Sequence, residues 1–255
     1  MIDALRALVD DPAASAVLVD FDGSLSAIVD HPDEAVPVEG AVTTLHRLTH
    51  RFARVGIVSG RPVEFLRRVL PVAGLDLVGQ YGLERWNPTR SCIEVDEAAS
   101  PFAAAVAAVA IAAEAELPGV FVERKGTVAV TLHWRMQPAA GAGAAEWAER
   151  RAEEHGLMRY PTRMAVELRP PVPVDKGRGV ERLAAGARHA LFAGDDHGDL
   201  SGFDALDRLI ADGSLQDAVR IAVRSDEEPP ELIARADVHV DGPRALVALL
   251  AELAG

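Results

Sequence analysis

The stretch VLVDFDGSLSAIVDHPDEA, residues 17–35, starts as a short apolar run and then places two aspartates, Asp20 and Asp22, directly before Gly23. A short apolar run of this kind is typical of a buried β-strand. Two carboxylates this close repel each other and are costly to remove from water. Because alternate residues of an extended chain point the same way, both side chains lie on one side of the strand end. The pattern predicts a strand that delivers two acidic groups to a functional site.

Apolar runs of strand length alternate with helical stretches on both sides of a distinct central region. Strands are predicted in AVLVDF, RVGIVSG, LDLVGQYG, HALFAGDD and DAVRIAVRS, and helices in residues 40–51, PVEFLRRVL, DKGRGVERLAAGA, GFDALDRLI and PRALVALLAELAG. Strands that alternate with helices over short loops favour a parallel sheet covered on both faces. The expected fold class is therefore α/β, a doubly wound, mostly parallel, Rossmann-like core.

The central region follows a different pattern. An alanine-rich helix is predicted within 98–119, then a hairpin in VFVERKGTVAVTLHWR with its turn at 124–126, a helix over about 141–156 and a strand in TRMAVELRP. We interpret residues 98–169 as an α/β cap domain inserted into a core formed by residues 1–97 and 170–255. Pro170, Pro171 and Pro173 would form a stiff return hinge.

Composition limits the partners of the chain. It has 255 residues, 49% of them hydrophobic, and a formal charge of −13 from 26 basic and 39 acidic side chains. This acidity disfavours nucleic acid and anionic membranes as partners. The N-terminal sequence has no signal-peptide pattern, and the single Cys92 fits a reducing compartment, so a cytoplasmic protein is expected. The acidic run 226–228 is expected to be a solvated loop. The oligomeric state is left open.

Polar residues follow several of the apolar runs, and these residues are expected to meet at one edge of the sheet. They are Asp20 and Asp22, Ser59-Gly60-Arg61, Asp195-Asp196, and Lys176 at the start of a helix. Converging carboxylates need a cation, and hard oxygen ligands favour Mg²⁺, which commonly accompanies phosphate. In such a site Asp20 can attack phosphorus while Asp22 protonates the leaving oxygen. Ser59 and Lys176 can hold the phosphate.

The order DFDGS, VSGR, DKG and GDD resembles the haloacid dehalogenase-like phosphohydrolase superfamily. The blocks GQYGLE, VERKGTVAVTLHWR, VELRPP and GDDHGD look like one family within it, the trehalose-6-phosphate phosphatases. The resemblance implies Asp20 as nucleophile, Asp22 as general acid and base, and a required Mg²⁺. It implies metal ligation by Asp20, the Asp22 backbone carbonyl and Asp195, with Asp196 or Asp199 completing the shell.

The same resemblance implies a set of residues that contact or border the sugar. They are Arg61, Glu84, Glu123, Lys125, His133, Arg135 and Glu167. The chain departs from the family at Tyr81, where histidine is commoner, and at Leu200, where glutamate is usual. These departures affect the expected choice of sugar more than the phosphate chemistry.

The expected function is a Mg²⁺-dependent phosphomonoesterase that hydrolyses trehalose 6-phosphate through an aspartyl-phosphate on Asp20. One alternative is a phosphatase of another disaccharide or sugar phosphate. A second is a phospho-acceptor signalling domain, which also uses strand-end aspartates, a hydroxyl and a lysine. A third is a non-catalytic protein that only binds a sugar phosphate.

Overall fold

The structure is a computed structural model that describes residues 3–29, 34–225 and 229–255. Residues 30–33 of the opening stretch and the acidic run 226–228 lie outside the described residues. The chain divides into two compact units, Met1–Ile93 with Val174–Gly255, and Glu94–Pro173. The division predicted above, with the inserted domain at 98–169, lies a few residues inside these boundaries.

Helices and strands follow one another along most of the chain. The described α-helices are α1 Arg6–Asp10, α2 Ala41–Arg51, α3 Val63–Val69, α4 Ala103–Glu116, α5 Gly141–His155, α6 Lys176–Ala184, α7 Leu200–Ala211, α8 Pro230–Arg235 and α9 Gly242–Ala254. The described strands are β1 Ser15–Val19, β2 Arg54–Val58, β3 Asp76–Gly79, β4 Glu84–Asn87, β5 Cys92–Val95, β6 Phe121–Lys125, β7 Ala129–His133, β8 Met158–Thr162, β9 Ala165–Arg169, β10 His189–Gly194, β11 Asp217–Val223 and β12 Val238–Val240.

Within the described residues, the large sheet has eight strands in the order β12-β11-β10-β1-β2-β3-β4-β5. The five pairings from β12 to β3 are parallel, and β3 pairs with β4 in antiparallel register. Strand β1 lies between β10 and β2, so the carboxyl ends of these three strands are neighbours at one sheet edge. The predicted mostly parallel core is confirmed.

Two apolar cores cover the two faces of this sheet, because successive side chains of each buried strand point to opposite faces. Along β1, Val17 and Val19 join one core, in which α2, α3 and α9 contribute leucines. Leu18 joins the other core with α6, α7 and α8. Helices therefore pack on both faces, as a doubly wound fold requires.

The smaller unit has a four-stranded antiparallel sheet in the order β6-β7-β9-β8. One face packs Val130, Leu132 and Val166 against α4 and α5 in a third core. Paired residues Thr131 and Glu167 lie on the opposite face. The smaller unit thus has one apolar, helix-covered face and one polar face.

Some predicted boundaries are wrong, and several short strands were not predicted. The turn of the β6–β7 hairpin follows Lys125, which still pairs with Ala129, and does not lie at 124–126. Gly126 takes a positive φ of 58° and starts the turn instead. Strands β4, β5, β8 and β12 were not predicted; they have at most five residues each, which is too short for a clear apolar pattern. No helix in the described ranges has the length and apolar character that a bilayer crossing demands.

Candidate active site

Four chain segments bring polar side chains to the carboxyl edge of the large sheet. Asp20 directly follows β1, Ser59 follows β2 and Asp195 follows β10, while Lys176 is the first residue of α6. All four side chains belong to residues that are almost fully buried. The parallel order of β10, β1 and β2 therefore places Asp20, Ser59 and Asp195 at neighbouring strand ends, as the sequence predicted.

Lys176 is the centre of a buried charged cluster. Its Nζ lies 2.9 Å from Asp20 Oδ1 and 2.8 Å from Asp199 Oδ1. Asp196 Oδ1 is farther, at 3.6 Å, and the Asp196 side chain is 62% exposed. One buried cation thus contacts two buried carboxylates and one exposed carboxylate. This geometry holds the Asp20 carboxylate at the end of β1.

Asp199 fixes the loop that follows β10. Its Oδ2 accepts the backbone N–H groups of Asp195 and Asp196, at 3.0 and 3.1 Å. In return, the Asp196 carboxylate accepts the Asp199 N–H, which forms a reciprocal capping box around the turn His197–Asp199. Asp199 is fully buried. The sequence left open whether Asp196 or Asp199 completes the metal shell, and of the two Asp199 is the buried residue.

Asp195 lies against the turn that carries the opening aspartates. Gly23 has a φ of +75°, and a Cβ added there would lie 2.0 Å from Asp195 Oδ2. This position therefore requires glycine for both its backbone conformation and its space. Within the part of the chain that the structure describes, the buried Asp195 Oδ1 has no hydrogen-bond partner. A buried carboxylate oxygen without a partner is costly unless something else satisfies it.

Three buried carboxylates could supply ligands to a metal ion. Oxygens of Asp20, Asp195 and Asp199 all lie within 4.8 Å of one another. Hard carboxylate oxygens suit Mg²⁺. The unpartnered Asp195 Oδ1 and the excess of carboxylates over the single lysine both fit a bound divalent cation. Asp199 already binds Lys176 and two backbone amides, so Asp20 and Asp195 are the carboxylates better placed to hold the ion.

The protonation behaviour of this cluster reflects burial and crowded negative charge. Burial, followed by the charges of Asp199 and Asp196, raises the pKa of Asp195 to about 7. Burial also raises the pKa of Asp199 to about 6 against the opposing effect of Lys176. The pKa of Asp20 is raised by burial and by its acidic neighbours. Burial alone would lower the pKa of Lys176, but the surrounding carboxylates raise it well above its usual value, so the amine stays charged.

Asp22 has a different environment from Asp20. Arg61 binds its carboxylate with two hydrogen bonds, Nε to Oδ2 at 2.8 Å and Nη2 to Oδ1 at 2.6 Å. The guanidinium carbon of Arg61 also lies 4.7 Å from the centre of the Phe65 ring on α3. The Asp22 side chain remains 37% exposed. The second aspartate is therefore oriented by an arginine and accessible to solvent.

The turn after β2 is held by its own backbone and by buried polar neighbours. The backbone N–H of Arg61 donates to Ser59 Oγ at 3.1 Å. Glu84 is 1% exposed, and its Oε2 accepts the N–H of Val63 at the first residue of α3, at 2.9 Å. Leu200, which stands at the start of α7 where the family usually has glutamate, is buried in the same apolar core as Leu18. Two residues near this turn were expected from the sequence to border the sugar. In the structure, Arg61 contacts Asp22, and Glu84 caps α3.

The polar face of the smaller sheet carries most of the remaining residues selected from the sequence. Lys125 Nζ lies 2.8 Å from Glu167 Oε2, and His133 Nε2 lies 2.8 Å from Glu123 Oε2. These are contacts between strands, in which each acidic group has a basic or imidazole partner. Arg135 is exposed and follows the end of β7.

Two further residues on this face were not singled out from the sequence. Arg169 Nη1 lies 3.3 Å from Glu167 Oε1, and its guanidinium carbon lies 3.5 Å from the centre of the Tyr160 ring. Tyr160 pairs directly with Glu167 across β8 and β9. Period-2 alternation from Glu167 points to Arg169, but Tyr160 depends on β8, a strand that the sequence pattern did not predict.

Comparisons with known proteins agree with this geometry. The family model for trehalose-phosphatase matches residues 18–237. The trehalose-phosphate phosphatase of Mycobacterium avium (strain 104) is 35% identical over 246 residues, which are 92% of this chain and 58% of that relative. The chain therefore spans a little over half the length of this curated relative.

Solved structures show the same fold. A trehalose-6-phosphate phosphatase related protein superposes with a TM-score of 0.73 at 25% identity, covering 94% of this chain and 96% of that one. A haloacid dehalogenase-like hydrolase from Bacteroides thetaiotaomicron has a TM-score of 0.65 at 12% identity, over 94% of this chain and 99% of that one. With the family match over most of its length, this chain belongs to the trehalose-phosphatase family, within the haloacid dehalogenase-like fold.

Proposed function

We propose that this protein is a Mg²⁺-dependent phosphomonoesterase that hydrolyses trehalose 6-phosphate to trehalose and phosphate. The observation that carries the proposal is the buried cluster at the carboxyl edge of the large sheet. There, Lys176 holds Asp20 and Asp199, while Asp195 Oδ1 has no hydrogen-bond partner among the residues that the structure describes. In a structural ion pair one carboxylate balances one lysine. In this cluster Lys176 faces three carboxylates, so the negative charges outnumber the positive charge. Family membership supports the same chemistry.

Asp20 is the proposed nucleophile. A carboxylate oxygen of Asp20 attacks phosphorus, the bond from phosphorus to the sugar oxygen breaks, and an aspartyl-phosphate forms. Lys176, held 2.9 Å from Asp20, places a positive charge beside the phosphoryl group. Ser59, buried at the end of β2, donates its hydroxyl to a phosphate oxygen. The loose, highly charged transition state depends mainly on such positioning and electrostatics.

Asp22 is the proposed general acid and base. It protonates the leaving sugar oxygen in the first step and then takes a proton from the water that attacks the aspartyl-phosphate. The second step breaks the bond between phosphorus and the Asp20 oxygen and releases inorganic phosphate. The 37% exposure of the Asp22 side chain suits this role, because protons and water reach it from solvent.

The metal site proposed here uses Asp20, the backbone carbonyl of Asp22 and Asp195, with Asp199 or Asp196 orienting these ligands. When bound, Mg²⁺ supplies positive charge that polarises the phosphoryl oxygens. The raised pKa of Asp195, at about 7, follows from burial among other carboxylates, and a bound cation would favour its ionised form.

The inserted unit is the proposed source of sugar specificity. Its polar face presents side chains that can exchange hydrogen bonds with sugar hydroxyls. Those we assign to the sugar are Glu123, Lys125, His133, Arg135 and Glu167, while Arg61 and Glu84 support the site from the core. The cross-strand pairs of this face are only partly buried, so their partners can be replaced at modest cost.

A panel of sugar phosphates tests the proposal. Phosphate release is measured from trehalose 6-phosphate and from phosphorylated sucrose and mannosylglycerate, each with Mg²⁺ and with a chelator. We expect the highest kcat/KM with trehalose 6-phosphate, loss of release with chelator, and recovery when Mg²⁺ is added back.

Each alternative predicts a different outcome when phosphorylation of the protein and binding of trehalose 6-phosphate are measured beside phosphate release. Preference for another sugar phosphate would reassign the substrate. A stable phosphorylated protein without turnover would indicate a phospho-acceptor domain. Binding of trehalose 6-phosphate without phosphate release would indicate a non-catalytic protein. Phosphate release at an unchanged rate in the presence of the chelator would contradict the metal requirement.

A further inference from the structure

Three successive residues after β3 have left-handed backbone conformations. The φ angles are 51° at Gln80, 55° at Tyr81 and 100° at Gly82. Glycine adopts such angles freely, but a non-glycine residue does so rarely, and an aromatic residue at positive φ is strained. Strain of this kind persists only where the surrounding structure enforces it, and it often marks functional sites. The contacts of residues 80–82 should therefore explain why this strained conformation is kept.

Its hydrogen bonds lead to the turn that carries Ser59. The N–H of Gln80 donates to the carbonyl of Arg61 at 3.0 Å, and the N–H of Tyr81 donates to the carbonyl of Ser59 at 3.1 Å. Both carbonyl oxygens on either side of Gly60 are thus directed at residues 80–81. A turn that receives an anion must offer it donors and keep carbonyl oxygens away. The strained segment enforces that arrangement.

The Tyr81 side chain completes the contact. A Cβ added to Gly60 would lie 2.6 Å from Tyr81 Cζ and 2.7 Å from its hydroxyl oxygen. The hydroxyl end of the ring therefore lies directly against the Gly60 backbone, in the space that any other residue would fill. Ser59 on one side of Gly60 is 1% exposed, and its Oγ accepts the N–H of Arg61 on the other side.

We propose that Tyr81 is a positioning residue for phosphate: its ring braces Gly60 and its strained backbone binds the Ser59 carbonyl, so that the turn presents Ser59 to the phosphoryl group. This inference rests on the proposed phosphatase function and deepens it. Tyr81 acts through the turn, so it sets affinity for the phosphate part of the substrate independently of the sugar, which differs from the effect on sugar choice expected from the sequence.

Variants at Tyr81 and a matched control test the proposal. Tyr81→Ala keeps the backbone constraint of a non-glycine residue but removes the ring, and Tyr81→Phe keeps the ring without its hydroxyl. Tyr81→Leu serves in place of Tyr81→Ala if the latter does not fold. Ser91→Ala is the control, because Ser91 is another non-glycine residue at positive φ, exposed in the turn between β4 and β5.

The readout is the inhibition constant of inorganic phosphate with Mg²⁺, measured with p-nitrophenyl phosphate as substrate, together with KM, kcat and Tm. We expect Tyr81→Ala to weaken phosphate inhibition and raise KM by about 10-fold, and Tyr81→Phe to recover wild-type values to within about 3-fold. Ser91→Ala should match the wild type. A merely structural role would lower Tm and the active fraction, hence kcat, without changing the inhibition constant.

An active enzyme in which Tyr81→Ala and Tyr81→Leu keep the wild-type phosphate inhibition constant would overturn this inference and leave the proposed function standing. A wild-type protein that neither releases nor binds phosphate would overturn both. The same Tyr81 pattern in an enzyme that prefers another sugar phosphate would support this inference while correcting the substrate.

Discussion

The charged side chains at the carboxyl edge of the large sheet and those on the polar face of the small sheet are arranged differently. In the first group, Lys176 and Asp20 have side-chain exposures of 4% and 3%, and one lysine faces three carboxylates. In the second group, Lys125 and Glu167 are 26% and 11% exposed. Acid and base thus alternate on the small sheet, whereas negative charge accumulates at the edge of the large one.

This difference separates two functions of charge in one chain. A buried charge without a partner destabilises the folded state. We therefore expect a cluster with excess carboxylates only where a bound cation or a reacting group interacts with them. Partly exposed pairs contribute little to stability and can be exchanged for ligand hydroxyls. We therefore assign chemistry to the buried cluster and selectivity to the polar face.

Replacing the nucleophile should have the largest effect. Asp20→Asn removes the attacking oxygen while keeping the size of the side chain, so we expect kcat to fall by at least about 1,000-fold. Phosphate release from the purified protein measures this, and Tm checks that the fold is retained. A variant that keeps a tenth of the wild-type rate would refute the role of Asp20.

Removing the buried lysine should damage both stability and activity. Lys176→Met leaves Asp20 and Asp199 facing each other without a cation, which should cost about 3–5 kcal/mol of unfolding free energy. Loss of the positive charge should also lower kcat by about 100-fold. Urea denaturation and steady-state kinetics measure the two effects. Stability equal to that of the wild type would show that Lys176 does not compensate the cluster.

The buried carboxylates should make the metal-free protein less stable as pH rises. The pKa values of Asp195 and Asp199, at about 7 and about 6, lie above their usual 3.8. At pH values between 3.8 and these raised pKa values, the two carboxyl groups are protonated in the folded protein and ionised in the unfolded chain. The folded protein therefore binds more protons, and the unfolding free energy falls as pH increases. We expect the unfolding free energy to fall by about 4 kcal/mol between pH 5 and pH 8 in chelator.

Urea denaturation at the two pH values measures this change, with Asp195→Asn as the control. The control should show a smaller fall, because an amide does not titrate. Added Mg²⁺ should also reduce the fall. A metal-free wild-type protein that is more stable at pH 8 than at pH 5 would contradict this interpretation of the cluster.

Breaking a pair on the polar face should have the smallest effect on the protein and a selective effect on substrate. Lys125→Met is the counterpart of Lys176→Met, and we expect less than about 1 kcal/mol of destabilisation. The KM for trehalose 6-phosphate should rise by about 10-fold, whereas kinetics with p-nitrophenyl phosphate should stay unchanged, since that substrate has no sugar. Equal effects on both substrates would argue against a role in sugar binding.

Much of the fold and part of the site could be predicted from the sequence, because they depend on local pattern. Apolar runs of strand length marked β1, β2 and β10, and the parallel-sheet rule then brought Asp20, Ser59 and Asp195 to one edge. Lys176 lies at the start of a predicted helix, and this position led to the expectation that its side chain lies at the same edge of the sheet. Such predictions need only periodicity and connectivity.

The rest depends on tertiary packing that no local pattern encodes. The contact between Arg61 and Asp22 joins residues 39 positions apart and is decided by side-chain conformation. The choice of Asp199 as the buried carboxylate follows from the capping box around the short turn after β10. The strain at Tyr81 is set by its contact with Gly60, a neighbour that only the folded chain provides.

The most direct test of the central claim is to trap the aspartyl-phosphate. Asp22→Asn should still allow attack by Asp20 on p-nitrophenyl phosphate, because p-nitrophenolate leaves without a general acid, but it should slow hydrolysis of the intermediate, because the general base is lost. Acid-quenched Asp22→Asn protein, after reaction with p-nitrophenyl phosphate and Mg²⁺, is digested and analysed by mass spectrometry. We predict one added phosphoryl group on the peptide at Asp20, and none in Asp20→Asn. A phosphoryl group on another residue, or turnover by Asp20→Asn, would contradict the account.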